Sequence, residues 1–287
     1  MANPRFTHFA AIDWSGAKGT RHKGIAVALC SEGNKAPEIV TPPSRHWSRA
    51  DVADWVLAQA QTSPTLFGFD FSFAPPLVER RSYLPGDNVP VTARAFWAYV
   101  DHVCADADLG AASFLEQHHR RHFYFGKADG TKASYMHFRR CEAHYNLGGG
   151  GKPSTVYDAI GAAQVAKASF AGMRLLHHLG QHLPIWPFDS LPERGSAIVE
   201  IYTSIAARSA GRPKGRTKIR DAAILDEALA RVESAPHRPL AAYEDHATDA
   251  ILTAAWMRRH AGDAAHWSPP SLTDEIARTE GWTFGVL

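Results

Sequence analysis

Three carboxylates lie at the ends of apolar segments, although buried strands rarely contain charged residues. Asp13 closes FAAID, Asp70 closes LFGFD, and Glu200 interrupts AIVEIY. A further acidic position follows in EDHATDAILTAAW, where Asp245 and Asp249 share one face of a helix. Like charges at that spacing destabilise a bare helix by roughly 0.2–0.5 kcal/mol, which indicates a compensating cation nearby. Carboxylate oxygens bind Mg²⁺ and Mn²⁺, ions that activate water for phosphodiester hydrolysis.

The elements that would position these acids are mainly strands in the first part of the chain. Apolar runs predict strands over residues 6–13, 24–30, 36–41, 66–73 and 196–204. Helical spacing of apolar residues, with Ser48 as the first N-cap, predicts helices over 48–63, 221–232 and 244–260. We therefore expect an α/β fold with a mixed sheet, in which three antiparallel meander strands join parallel strands and helices flank the sheet.

The middle of the chain follows a different pattern, with few strand signals. Apolar periodicity predicts helices over residues 92–105, 111–122 and 156–183. An unusually long connection of this kind is usually functional, and we interpret it as a mostly helical insertion. The predicted organisation is a core of residues 1–73 and 194–265, an insertion of residues 74–193, and a C-terminal tail, 266–287, that packs on the core.

Four short motifs carry a resemblance to a known family. IDWSG, GFDFSFAPP, VEIYTS and DHATDAILTAAW are similar to signature segments of the predicted RNase H-like nuclease family, a domain of unknown function related to RuvC-type resolvases. The resemblance covers nearly the whole chain, including the stretch from GGGGKPST to PIWPFD. It implies an RNase H-like sheet in which the first and fourth strands are parallel neighbours, so that their acids converge at one edge and a late helix adds more.

The same resemblance implies roles for the acids of this chain. The catalytic residues would be Asp13, Asp70, Glu200, Asp245 and Asp249. Within that set, Asp13, Asp70 and Asp249 would hold the metal, Mg²⁺ or Mn²⁺.

Two of these acids also have a purely structural interpretation. The side chain of Asp13 could cap the SGAKG turn that follows it. Glu200 could form a structural ion pair with an arginine such as Arg174 or Arg208. For both acids, the sequence leaves the structural and the catalytic interpretation open.

A basic segment, RSAGRPKGRTKIR, follows the last predicted strand. It carries six cationic residues and no acid: Arg208, Arg212, Lys214, Arg216, Lys218 and Arg220. Glycine and proline keep such a segment extended, and cations beside a metal site would bind the phosphates of DNA or RNA in a salt-dependent way. The alternative is a basic loop that is simply solvated.

Two further patterns look functional but are incomplete. His118, His119 and His122 have HH-x-x-H spacing without an acidic partner, so we expect no metal site there. LGGGGKPST does not fit the phosphate-binding P-loop pattern, because Asn146 stands where a glycine is required and Pro153 where Ser or Thr is required.

Composition limits the class of protein. The 287 residues are 45% hydrophobic and 21% charged, which is typical of a soluble globular protein, and the net charge is only +2. No apolar run approaches the roughly 18–20 residues that cross a bilayer, and the residues before the first strand do not show the basic-then-apolar pattern of a signal peptide. The three cysteines are widely spaced and support neither a disulfide framework nor a thiolate zinc site. We expect a cytoplasmic protein without a membrane partner.

The leading interpretation is a metal-dependent nuclease that acts on nucleic acid. One alternative is an ATP-binding phosphotransferase of the sugar-kinase or actin type, which also begins with a strand, an acid and a small-residue turn, as in DWSG. That class needs two such domains, which one chain of this length does not easily supply. The second alternative is a module that binds nucleic acid on the same fold without catalysis.

Overall fold

A five-stranded mixed sheet forms the centre of the computed structural model, which describes residues 6–150, 154–161, 165–213 and 218–287. The strands are β1 (His8–Asp13), β2 (Ala26–Ser31), β3 (Glu38–Ile39), β4 (Thr65–Asp70) and β5 (Ala197–Glu200). Their order in space is β3-β2-β1-β4-β5. The first three form an antiparallel meander, whereas β4 runs parallel to β1 and β5 parallel to β4. The predicted mixed sheet of meander and parallel strands is confirmed.

Helices cover both faces of this sheet. In chain order they are α1 (Arg49–Thr62), α2 (Ala93–Val103), α3 (Arg140–Leu147), α4 (Val165–Leu179), α5 (Thr203–Ser209), α6 (Ala222–Arg231), α7 (Asp245–His260), α8 (Ala264–Trp267) and α9 (Asp274–Arg278). Ser48 is the N-cap of α1 as predicted, and its hydroxyl accepts a 2.9 Å hydrogen bond from the backbone N–H of Asp51. No helix in the described ranges combines the length and the apolar character that crossing a bilayer requires.

Two hydrophobic cores lie on opposite faces of the sheet, because successive side chains of a strand alternate between faces. Ile12 of β1 and Phe69 of β4 belong to the core shared with α1, α2 and α4. Ala11 and Leu66 belong to the second core, which α5, α6, α7 and the C-terminal residues complete. α1, α2 and α4 therefore cover one face, and α7 covers the opposite face, where Cys141 of α3 also packs.

Several predicted boundaries are wrong. The helix expected over 156–183 is the shorter α4, because Tyr124 exchanges backbone hydrogen bonds with Tyr157 and Ala159 and keeps the residues around Asp158 out of the helix. Residues 111–122 form a π-helical turn, Phe114–His118, and a 3₁₀ turn, Arg120–His122, instead of one α-helix.

The last predicted strand is also too long. It ends at Glu200, and α5 begins at Thr203. Residues 203 and 204 of the predicted strand form the first turn of α5, whose alanines pack against α7. Farther along the chain, Trp282 and Phe284 are fully buried in the core beside α7.

Candidate active site

Two of the strand-end acids are direct neighbours. Asp13 and Asp70 are register partners at the ends of the parallel strands β1 and β4. Alternation along each strand assigns Asp13 to the face of Ala11 and Asp70 to the face of Leu66, and α7 covers that face. The predicted convergence of these two acids at one edge of the sheet is therefore found in the structure.

A cavity of about 710 Å³ opens at this edge, and both aspartates line it. One wall is the loop after β1, where the Trp14 indole donates a 3.2 Å hydrogen bond to the carbonyl of Ala168 in α4. Gly16 lies so close to α4 that a Cβ atom would be 2.2 Å from the backbone N of Ala168, so a larger residue would displace this wall. The loop and α4 therefore fix the width of the cavity beside the acids.

The charge on Asp13 is only partly compensated. Its carboxylate lies 3.2 Å from Nδ1 of His246 in α7. Burial raises the pKa of Asp13, and the hydrogen bond and charge of His246 offset only part of that rise. The turn that follows β1 is capped by Ser15, whose hydroxyl accepts from the backbone N–H of Ala17 at 3.3 Å. The interpretation of Asp13 as the cap of this turn is therefore wrong.

Asp70 is compensated even less. Its carboxylate accepts a 3.1 Å hydrogen bond from the hydroxyl of Thr203 at the start of α5. Burial raises the pKa of Asp70 well above its ordinary value, and the negative charges of Asp13 and Asp249 raise it further. Three carboxylates thus repel one another at the wall of one cavity.

The acids of α7 differ from each other. Asp245 pairs with Arg220 and also lies 3.3 Å from Lys218. Burial alone would raise the pKa of Asp245, but the two cations outweigh burial and lower it. Asp249 lies deeper, and burial raises its pKa although Lys218 Nζ is 3.1 Å from its carboxylate. The spacing of the two acids indicated a compensating cation. In this structure Lys218 and Arg220 provide that positive charge.

The third strand-end acid has a different environment. Glu200 is 3% exposed, and its carboxylate receives two hydrogen bonds from the guanidinium of Arg139, at 2.7 and 2.5 Å. The Thr283 hydroxyl donates to the same carboxylate at 2.6 Å, and the backbone N–H of Phe73 donates at 2.7 Å. Although Glu200 borders the cavity, its carboxylate is fully engaged in a structural ion pair.

The expected arginine partners of Glu200 are wrong. Arg174 pairs with Asp101 at 2.8 Å, and Arg208 donates to the carbonyl of Gly149 at 2.7 Å. The actual partner, Arg139, precedes α3 and is distant from Glu200 in sequence. No spacing in the sequence indicates this pair.

The basic segment is divided between several environments. Arg208 belongs to α5, and Arg212 follows that helix, with its backbone N–H bonded to the carbonyl of Ala207 at 2.9 Å. Lys218 and Arg220 face the acids of α7, and Lys218 lines the cavity. The two remaining predicted phosphate-binding residues lie outside the described residues: Lys214 and Arg216.

A separate group of side chains could hold a metal ion, and the sequence did not predict it. Asp87, His119 and His122 offer ligand atoms that all lie within 4.8 Å of one another. Among the described residues, the strand-end acids do not form a set as tight as this one. The expectation that HH-x-x-H lacks an acidic partner is wrong, because the fold supplies Asp87 from the segment before α2.

No family model, curated protein or solved structure was found to match the chain. The interpretation of the site therefore depends on the geometry and electrostatics of its own residues.

Proposed function

We propose that the chain is a metal-dependent phosphodiesterase acting on nucleic acid, with Mg²⁺ or Mn²⁺ held by Asp13, Asp70 and Asp249. The observation that carries the proposal is the meeting of these three carboxylates at the wall of one cavity. Burial and mutual repulsion raise the pKa of Asp70, which means that its negative charge is unfavourable without an added cation. Perturbed carboxyl groups that converge in a cavity are typical of functional sites.

The donor set suits a hard divalent cation. Mg²⁺ binds carboxylate oxygens and usually keeps several further positions for water and for phosphate oxygens of a substrate. The ammonium of Lys218 lies 3.1 Å from the Asp249 carboxylate, so a positive charge is favoured beside these acids. Because the three acids are not packed into a tight ligand cage, water and substrate oxygens would complete the coordination.

Each side chain around the acids has a role in this proposal. A bound metal would lower the pKa of a coordinated water and stabilise the charge that develops on the phosphodiester. His246 holds the Asp13 carboxylate in place, and this hydrogen bond raises the pKa of His246, so the imidazole keeps its proton to higher pH than a free histidine. Thr203 orients the Asp70 carboxylate in the same way, through its hydroxyl.

Two observations support nucleic acid as the substrate. The parallel pairing of β1 with β4 agrees with the RNase H-like arrangement that the sequence motifs imply. Lys218 and Arg220, from the basic segment, lie on the side of the cavity formed by α7, where a phosphate backbone would approach the acids. Neutralisation of phosphates by such cations makes binding depend on salt.

A cleavage assay tests the proposal. Labelled single-stranded, duplex, hybrid and branched oligonucleotides are incubated with the protein in Mg²⁺, in Mn²⁺ and in chelator. We expect metal-dependent cleavage of at least one substrate, reduced at least about 100-fold in Asp70→Asn because a metal ligand supplies several kcal/mol to such a reaction. The matched control is Asp54→Asn, which changes an exposed aspartate on α1 and should cleave at the wild-type rate.

The remaining outcomes separate the alternatives. Equal cleavage by wild type and Asp70→Asn would contradict the assigned ligands. Oligonucleotide binding without cleavage in either metal would favour a non-catalytic module. ATP binding that excludes oligonucleotide would favour the phosphotransferase.

A further inference from the structure

The cluster of Asp87, His119 and His122 lies away from the sheet edge, and none of its members lines the cavity of the strand-end acids. Oδ2 of Asp87 is 2.8 Å from Nδ1 of His119 and 2.8 Å from Nε2 of His122. One carboxylate oxygen thus lies between two imidazole nitrogens. These are the three atoms that a small divalent cation would use.

Local backbone geometry brings the two imidazoles together. His119 follows the π-helical turn, and the backbone N–H of His122 donates to the carbonyl of His119 at 3.0 Å, which closes a 3₁₀ turn. Side chains three residues apart eclipse each other in a 3₁₀ turn, so both rings lie on one side. π-helical turns are rare and occur often at functional sites.

A second tight turn places the carboxylate. The backbone N–H of Asp87 donates to the carbonyl of Leu84 at 3.0 Å, and Gly86 between them has φ of 86°, a conformation that favours glycine. The turn belongs to the segment between β4 and α2. A metal ion here would therefore join two parts of the chain that are distant in sequence.

Neighbouring side chains orient the cluster as they do around metal ligands. The hydroxyl of Tyr99 is 3.0 Å from Nε2 of His119, which directs Nδ1 towards Asp87. Arg121 bonds to the second carboxylate oxygen of Asp87, so Oδ2 is the oxygen that faces the histidines. Nε of Arg121 also donates to Nε2 of His122 at 3.2 Å, a contact that a bound metal ion would replace. Such partners of metal ligands fix the ring orientation and strengthen binding.

Burial also favours a defined site. The side chains of His119 and His122 are 7% and 8% exposed, whereas that of Asp87 is 21% exposed. Phe114 packs against the ring of His119, with ring centroids 4.5 Å apart. The histidines are thus largely buried, and the carboxylate side remains open to an ion from solvent.

We propose that Asp87, His119 and His122 form a binding site for a divalent transition-metal ion of the zinc class. Two imidazole nitrogens and one carboxylate oxygen suit Zn²⁺ and its neighbours, whereas Mg²⁺ prefers oxygen ligands alone. Three protein ligands leave at least one coordination position for water or a further ligand. The site is chemically distinct from the proposed Mg²⁺ site and does not depend on the nuclease proposal.

Metal titration of the full chain tests this site. We expect one tightly bound Zn²⁺ in calorimetry, besides any weaker binding at the strand-end acids, and one tightly bound Co²⁺ with visible absorption bands that Zn²⁺ displaces. Loss of a residue that only hydrogen-bonds to a metal ligand costs about 10–100-fold in metal affinity. His122→Gln removes a ligand itself and should therefore lower Zn²⁺ affinity at least about 100-fold. The matched control is His118→Gln, which changes the exposed histidine of the same HH-x-x-H motif and should bind as the wild type does.

Two further variants keep the test decisive. Asp87→Asn provides a second ligand loss if His122→Gln does not fold, and it should also abolish the Co²⁺ bands. Asp54→Asn, which changes an exposed aspartate on α1, should leave Zn²⁺ affinity unchanged. Absence of Zn²⁺ binding, wild-type Zn²⁺ affinity in both ligand variants, or an equal loss of Zn²⁺ affinity in Asp54→Asn would overturn the proposal.

Discussion

Two of the three strand-end acids face one side of the sheet, and the third faces the opposite side. Asp13 and Asp70 are register partners, but the partner of Glu200 is Phe69, one residue before Asp70. Because side chains alternate, this single step assigns Glu200 to the opposite face, on the side of Ile198. Similar positions in the sequence thus lead to different chemical environments.

The two environments differ in how the negative charge is compensated. Arg139 is 1% exposed and pairs with both Glu200 and Glu142, while its guanidinium also donates to the carbonyl of Glu280 at 3.1 Å. The acids on the opposite face have one histidine, one threonine and a half-exposed lysine. We infer that a strand-end acid with a complete set of partners supports the fold, and that an acid left under-compensated is available to bind a cation.

The largest expected effect on stability comes from removing the positive charge of Arg139, which compensates Glu200 and Glu142. Arg139→Met leaves Glu200 and Glu142 buried without their cation, and we expect it to lower the free energy of unfolding by about 3–5 kcal/mol. Urea denaturation measures this change. Arg140→Met is the matched control, because Arg140 pairs with Glu79 at the surface and its loss should cost less than about 1 kcal/mol. Equal effects of the two variants would contradict the structural role of Arg139.

On the face of Asp13 and Asp70, loss of a charge should stabilise the metal-free protein. We expect Asp70→Asn to raise the free energy of unfolding by about 0.5–2 kcal/mol, because burial and the neighbouring acids make the charge of Asp70 unfavourable. The pKa of Asp70 is higher in the folded than in the unfolded state. The wild type therefore loses stability relative to the variant as pH rises towards the folded pKa, and the difference vanishes below the ordinary aspartate pKa.

Chemical denaturation in chelator, repeated over a pH series, measures that difference. Glu200→Gln sharpens the comparison, since weakening the ion pair with Arg139 should destabilise the protein. If Asp70→Asn and Glu200→Gln both destabilise the metal-free protein, the distinction between the two faces is wrong.

The smallest expected effect concerns Lys218, which is half-exposed beside Asp245 and Asp249. A Mg²⁺ ion at the acids would compete with this ammonium for the same negative charge. Lys218→Met should therefore tighten Mg²⁺ binding by about two- to five-fold, the equivalent of a half-exposed ion pair. Calorimetry checks this, with Lys23→Met, which removes a surface pair with Glu244, as the control. Weaker Mg²⁺ binding in Lys218→Met would contradict the competition.

Local patterns predicted much of the sheet and part of the site. Apolar runs and the N-cap Ser48 predict strands and α1 near their observed positions, because these signals are local. The helical spacing of Asp245 and Asp249 is also local. The meeting of Asp13 and Asp70 required the family resemblance in addition, since parallel pairing joins distant segments.

Several features depend on contacts that the sequence does not encode locally. The register of β5 against β4 decides which face Glu200 takes, and no spacing in the sequence specifies it. Asp87 meets His119 and His122 only because two tight turns pack together in the fold. Arg139 likewise reaches Glu200 across the structure.

A Mg²⁺ titration by calorimetry tests the difference between the two faces most directly. It compares the wild type with Asp70→Asn and Glu200→Gln, and circular dichroism confirms that each protein is folded. His122→Gln is the control that excludes the histidine cluster, because Mg²⁺ prefers oxygen ligands. We predict that Asp70→Asn weakens Mg²⁺ binding at least about ten-fold, while Glu200→Gln and His122→Gln bind as the wild type does. Unchanged binding in Asp70→Asn, or an equal loss in folded Glu200→Gln, would contradict the account.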